Sequence, residues 1–310
     1  MHELQCKYPK VGLSRICRLF GITRQAYYQH YWEGEIAQMV HLLVIKEVKK
    51  IRESHRMIGT RKLYEMLKPF MLEHCIKLGR DGLFDLLAAN KLLIRKRKRR
   101  IQTTYSNHWL RKYPNLIRDF VPTAINQLWV SDITYLKIST GEHLYISLIT
   151  DAYSRKIVGY QVGESMEAIE SIRALQMALS TLGGVERPLQ LTHHSDRGLQ
   201  YCSGKYVKLL QDKGIRISMT ENGDPLENAI AERINGIIKE EYLETYTTNN
   251  IIEAKKLLKQ TVELYNNERP HMSLANLTPN KTHHDCKTKP TRIWKNYYKK
   301  LNTFEKHLQI

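Results

Sequence analysis

LWVSDITYLKI, residues 128–138, is the stretch on which the fold turns. Leu128, Val130, Thr134, Leu136 and Ile138 share one face at period two, and β-branched and aromatic residues dominate the run, so it reads as a buried strand. Asp132 falls on that same face, a carboxylate out of place in a strand core. Working outward, Asp196 follows the strand-like run PLQLTHH and precedes Arg197-Gly198, so it sits where a strand ends and a loop opens. Glu232 lies in PLENAIAERINGIIKEEYLE, residues 225–244, a helical pattern with Pro225 suited to an early helical position. Ile230, Ile234, Ile237, Ile238 and Tyr242 form its apolar stripe, and Asn228, Glu232 and Lys239 lie opposite. Lys239 is thereby placed two turns, about 10 Å, beyond Glu232 on the same side.

Carboxylates drawn from a strand, a strand end and a helix suit phosphodiester chemistry. Such chemistry needs an activated water or 3′-hydroxyl, an in-line leaving oxygen and neutralisation of developing charge. Two divalent ions about 3.5–4 Å apart supply all three when carboxylates from separate elements hold them. Mg²⁺ or Mn²⁺ fits, because a hard cation that keeps several waters needs only a few protein oxygens. Lys239 cannot ligate a metal but can reach a DNA phosphate near the reacting end.

Charge points to the same class of partner. The net charge is +18, with 49 Lys and Arg against 31 Asp and Glu in 310 residues. Residues 1–120 hold 25 cations against 10 anions and so carry +15 of that excess. A basic region joined to a near-neutral remainder is the electrostatic footprint of a nucleic-acid-binding protein. The run KLLIRKRKRR, residues 91–100, contains Arg95, Lys96, Arg97, Lys98, Arg99 and Arg100 in unbroken succession, and no acid interrupts it. It is expected to track a phosphate backbone, adding affinity without reading sequence.

The rest of the chain divides by its grammar. Residues 11–29 give an apolar helix, a turn at Gly21 and a second short helix opened by Thr23, which is helix-turn-helix spacing. Further helices are expected over 36–55, 60–67 and 80–90, and residues 101–120 read as a linker. From Pro122 the pattern changes to strands at 127–138, 143–151 and 155–163, a helix at 165–182, strands at 188–194 and 215–219, and helices at 203–213, 225–246 and 250–267. The tail, residues 283–310, is rich in Lys with Trp294 and Tyr297-Tyr298. No apolar run reaches the length of a membrane span, and MHELQCKYPK lacks a signal-peptide core, so a cytoplasmic protein is expected. Five scattered cysteines fit reduced thiols, and His74-Cys75 with His283-His284 and Cys286 lack the paired spacings of a zinc site.

The motifs as a set resemble the bacterial insertion-sequence transposases of the IS-three group, the OrfB, integrase-core type, which are similar to retroviral integrases. The resemblance rests on Trp129-x-x-Asp132-Ile133-Thr134, DAYSRKIVGY from Asp151, HSDRGLQY from His194, ENAIAERINGIIKEE from Glu227, YNNERPHMSL from Tyr265 and Thr278-Pro279, in order over roughly residues 110–282. It implies an α/β RNase H-like catalytic core, a mixed five-stranded sheet with flanking helices, preceded by an all-α helix-turn-helix region. The expected layout is a helical DNA-binding region at 1–100, a linker at 101–121, the core at 122–282 and a basic tail at 283–310. Asp132, Asp196 and Glu232 become the catalytic, metal-binding triad, with two ions per site, and 35 residues separate the last two. His194 and Asn228 are expected to support the site or contact phosphate. Implied partners are double-stranded DNA as terminal inverted repeats and target, further copies of the chain, and an upstream helix-turn-helix and zipper protein or its frameshift fusion, in the bacterial nucleoid. One departure is Glu227-Asn228-Ala229, where the family usually has Asp-Asn-Ala. The competing readings are a retroviral-type integrase or RNase H-like nuclease, and a non-catalytic DNA-binding regulator.

Overall fold

The strand that holds Asp132 is the centre of a five-stranded sheet. The structure is a computed structural model and describes residues 7–8, 10–94, 109–118, 120–183, 190–221 and 228–285. The expectations for Arg95–Arg100, for Pro225 to Glu227 and for the tail beyond 285 fall outside these residues. Two compact units are present, Met1–Glu53 with Leu67–Leu93 and Ser54–Met66 with Ile94–Ile310.

In the first unit α1 (Leu13–Leu19) leads through Gly21, at φ 67°, into α2 (Arg24–Ser54). The Thr23 hydroxyl accepts from the Ala26 amide at 3.0 Å and caps α2. The short second helix and separate third helix read from the sequence are here one helix of 31 residues. No proline interrupts it, and the single Gly34 costs only about 1 kcal/mol relative to alanine. Val44 and Val48 of α2 are fully buried, as are Leu83 and Leu87 of α4 (Arg80–Ala89). Between them in sequence runs α3 (Thr60–Glu73), which continues past the expected end at 67 with Pro69 inside it.

In the second unit β1 (Leu128–Lys137), β2 (His143–Asp151) and β3 (Ile157–Gly163) form the antiparallel meander, and β4 (Thr192–Ser195) and β5 (Arg216–Met219) run parallel to β1. The order is β3-β2-β1-β4-β5. Because β1 is central it is buried on both faces, Leu128 and Val130 on one and Trp129 and Ser131 on the other. The face of Leu136 packs with Ile146, Ile234, Ile238, Leu258 and Tyr265. The face of Trp129 packs with Val158, Leu175, Tyr206 and Ile217. On that second face α5 (Ala168–Ser180) lies hard against β3, since a Cβ on Gly159 would stand 2.2 Å from the Ala174 carbonyl oxygen. After β4 come α6 (Leu199–Cys202) and α7 (Gly204–Asp212).

The single helix read over 225–246 is in fact three pieces where it is described. These are α8 (Ala229–Ile237), a π turn at Ile238–Tyr242 and a 3₁₀ turn at Leu243–Thr245. Then follow α9 (Ile251–Asn267) and α10 (Pro279–His284). Within the stretch read as a linker, the Leu116 amide donates to the Ser218 hydroxyl at 2.9 Å and the Met219 amide to the Pro114 carbonyl at 3.3 Å, so this segment lies along β5. At the opposite edge the Asn266 amide group bonds both the N–H and the C=O of Ile157, each at 3.0 Å.

Candidate active site

Register brings the first two carboxylates level. β1 and β4 pair in parallel with Val130 opposite His194, and two residues further along each chain stand Asp132 and Asp196. Side chains two apart share a face, and neighbouring strands lie about 4.8 Å apart. Asp196 is held at the strand end by its own loop, its Oδ1 accepting from the Gly198 amide at 3.0 Å. A Cβ at Gly198 would meet the Gln200 side chain at 2.3 Å, so a larger residue here would have to push that amide aside.

α8 lies across this face and is bonded to β1 at two points. Asn228 Nδ2 donates to the Ser131 carbonyl at 3.0 Å, and Asn235 Nδ2 donates to Asp132 Oδ2 at 2.9 Å. Glu232 stands between these anchors on the same helical stripe, exposed, in the first turn of the helix. Sequence reasoning named Asn228, Glu232 and Lys239 and passed over Asn235, although the 228, 232, 235, 239 spacing places it on the stripe. Among the described residues no three His, Cys, Asp or Glu side chains close around a single point.

Electrostatics sets Asp132 apart. Burial pushes its carboxyl up to about 8, and the charge of Asp196 and, more weakly, Glu232 adds to the rise. The Ile133 amide, 2.8 Å from Oδ1, and Asn235 pull the other way. A donor set that cannot hold all its negative charge at neutral pH is chemically matched to a hard divalent cation.

The surrounding residues have distinct parts. Lys239 lies in the π turn, its ammonium 3.5 Å from the centre of the Tyr135 ring on β1 and 3.9 Å from Glu244. His194 is fully buried, with Nδ1 2.9 Å from the Ser218 hydroxyl, so its described bond is to protein. His193 faces the other side of the sheet, where Nε2 lies 2.8 Å from Ser131 Oγ and 2.9 Å from Tyr206 Oη. Burial holds its imidazole neutral by lowering it to about 3.

The class of the protein follows from its sequence relatives, whose shared domain covers the sheet and the carboxylates just described. Residues 122–225 match the model of an integrase core domain, and 213–279 match a second model of the same description. The chain is 36% identical over 269 residues to the insertion element IS600 uncharacterized 31 kDa protein of Shigella sonnei, covering 85% of this chain and 96% of that one. It is 32% identical over 235 residues to the transposase for insertion sequence element IS629 of Shigella sonnei, covering 76% of each. It is 30% identical to the putative transposase InsK for insertion sequence element IS150 of Escherichia coli, over 90% of this chain and 95% of the relative. The chain belongs to the bacterial insertion-sequence transposases with an integrase core. Among solved structures, the HTLV-2 integrase catalytic core domain in complex with magnesium is 19% identical over 52% of this chain and 98% of its own, at a TM-score of 0.40. Among the described residues no helix is long and apolar enough to cross a membrane.

Proposed function

We propose that Asp132, Asp196 and Glu232 are the metal-binding carboxylates with which this transposase cleaves the ends of its insertion element and joins them to target DNA. The observation that carries the reading is the bonding of α8 to Ser131 and Asp132 on either side of Glu232, over the strand pair that levels Asp132 with Asp196. Two Mg²⁺ or Mn²⁺ ions held by the three carboxylates would activate the attacking water or 3′-hydroxyl and stabilise the leaving oxygen.

The chain's own groups then divide the remaining work. Asn235 orients the Asp132 carboxylate, and Asn228 fixes the helix start against β1. Lys239 supplies a cation to a DNA phosphate near the reacting end, with His194 holding the strand end from within. The run Arg95, Lys96, Arg97, Lys98, Arg99 and Arg100 tracks duplex backbone, and the helix-turn-helix spacing in α1 and α2 serves end recognition. The substrates are the element's terminal inverted repeats and a target duplex in the bacterial cytoplasm at the nucleoid. The working form is a multimer, alone or with an upstream helix-turn-helix and zipper protein or its frameshift fusion.

The test is cleavage and joining of a plasmid carrying this gene with its flanking DNA, in Mg²⁺ and in Mn²⁺. Asp132→Asn, Asp196→Asn and Glu232→Gln are each expected to abolish both steps while DNA binding persists. Near-normal cleavage by any one of them would end the assignment.

A further inference from the structure

The π turn that follows α8 is gripped by side chains distant from it in sequence. Arg269, fully buried, places Nε and Nη2 each 2.7 Å from the two oxygens of Glu241, a bidentate pair. Lys62 adds its ammonium 3.7 Å from the same carboxylate, which these cations hold below the usual glutamate range in spite of its burial. The next residue, Tyr242, meets His55, whose Nδ1 lies 2.9 Å from the phenol oxygen. His55 Nε2 is 3.0 Å from Glu268. A carboxylate only accepts, so in the neutral ring Nε2 donates to Glu268 and Nδ1 is left to accept from the Tyr242 hydroxyl. Arg56 closes the end of the segment, donating to the Thr245 carbonyl at 2.9 Å and lying 4.0 Å over the Tyr246 ring.

We infer that His55, with Arg269 and Glu241, positions the active-site helix by holding this π turn. An i→i+5 turn changes the rotation of everything beyond it relative to an α-helix, and single π turns of this kind are frequent at functional sites. Here the gripped residues, Glu241 and Tyr242, lie two and three positions after Lys239 in the same turn, and Lys239 rests on the Tyr135 ring three residues along β1 from Asp132. Relaxation of the turn to a regular helix would carry Lys239 round the axis and away from β1. His55, Arg56 and Lys62 come from a stretch far ahead of the core in sequence, yet they belong to the same compact unit as the turn. The inference rests on the reading of Glu232 and Lys239 given above. It assigns His55, Arg269 and Glu241 as positioning residues that touch no substrate.

The experiment uses the full chain and a plasmid carrying its gene with the flanking DNA. Tyr242→Phe keeps the ring and removes only the hydroxyl, and it is expected to lower the joining rate at saturating DNA by about tenfold, the scale of a small misplacement of catalytic groups. DNA affinity should stay at the wild-type value, and melting temperature should fall only by the modest amount that one unpaired buried acceptor brings. His55→Asn presents an amide oxygen where Nδ1 was and should retain most joining, whereas His55→Gln reaches only the Glu268 side and should behave as Tyr242→Phe does. Wild-type joining by Tyr242→Phe overturns the inference, and so does a loss of joining that follows melting temperature across the three variants. If His55→Gln fails to fold, Tyr242→Phe and His55→Asn decide the matter. Failure of the underlying site reading is recognised separately, by retained cleavage in Glu232→Gln.

Discussion

Asn235 donates its side-chain amide to Asp132 at 2.9 Å, and this bond ties the helix of the third carboxylate to the strand of the first. It also supports the charged form of a carboxyl that burial and Asp196 drive up to about 8. Groups that orient metal ligands typically contribute 10–100-fold in affinity or activity. Asn235→Ala is therefore expected to raise the Mg²⁺ concentration for half-maximal cleavage by at least about tenfold. An unchanged half-saturation would show the bond to be structural only.

Lys239→Ala should reduce joining of pre-cleaved ends by more than tenfold while the fold persists. The side chain is mostly buried against Tyr135, and a cation over an aromatic face is worth about 0.5–2 kcal/mol, so a modest fall in melting temperature is expected. Lys239→Arg keeps the charge and should keep part of the joining. Equal joining by the Ala variant and the wild type would leave Lys239 as packing for Tyr135.

Replacing Arg95, Lys96, Arg97, Lys98, Arg99 and Arg100 by Gln in the full chain should weaken DNA binding and flatten its salt dependence. Each phosphate that is no longer neutralised lowers the slope of log K against log salt by about 0.9. Block substitution is the cleaner design, because truncation at residue 100 also removes His55, Arg56 and Lys62 from the π turn. Such a truncated chain is expected to melt below the full-length protein. A wild-type salt slope in the substituted chain would mark the run as merely solvated.

Stability should fall in mild acid partly through His193. Its folded value is depressed to about 3, below its ordinary value, so the unfolded chain takes up a proton that the folded chain refuses. This contribution is complete above the unfolded value and is lost as pH falls from about 6.5 towards the folded value, at about 1.4 kcal/mol per unit. His193→Gln, whose amide nitrogen and oxygen reach the region of Nε2, should flatten the pH dependence of denaturant unfolding between 6 and 4. Parallel profiles for variant and wild type would contradict this.

The sheet was legible because its strands carry local signals. Period-two burial around Asp132, the Gly141 turn and the Asp151–Ser154 turn each lie within a few residues, and all five strands lie where the pattern places them. Asp132 and Asp196 stood out because a carboxylate in or beside a strand core is anomalous. What escaped the sequence depends on distant partners. The π turn is held by Arg269 reaching back 28 positions to Glu241, and by His55, 187 positions from Tyr242, and no local period records such pairs. Asn235 was passed over because an amide on a polar stripe looks like any solvent-facing residue. The length of α2 was misjudged because Thr23 marks a start, but nothing up to Ser54 marks a stop.

The bonds of Asn266 to Ile157, and of residues 114–116 to Ser218 and Met219, bear on how copies of the chain can meet. An outer strand with free N–H and C=O groups invites a strand from another molecule. Here the backbone of β3 is engaged at Ile157, and β5 is flanked by its own chain. Strand addition at these positions is closed, so a second copy of the chain cannot extend the sheet through the backbone of Ile157 or Met219 and would have to dock on other surface.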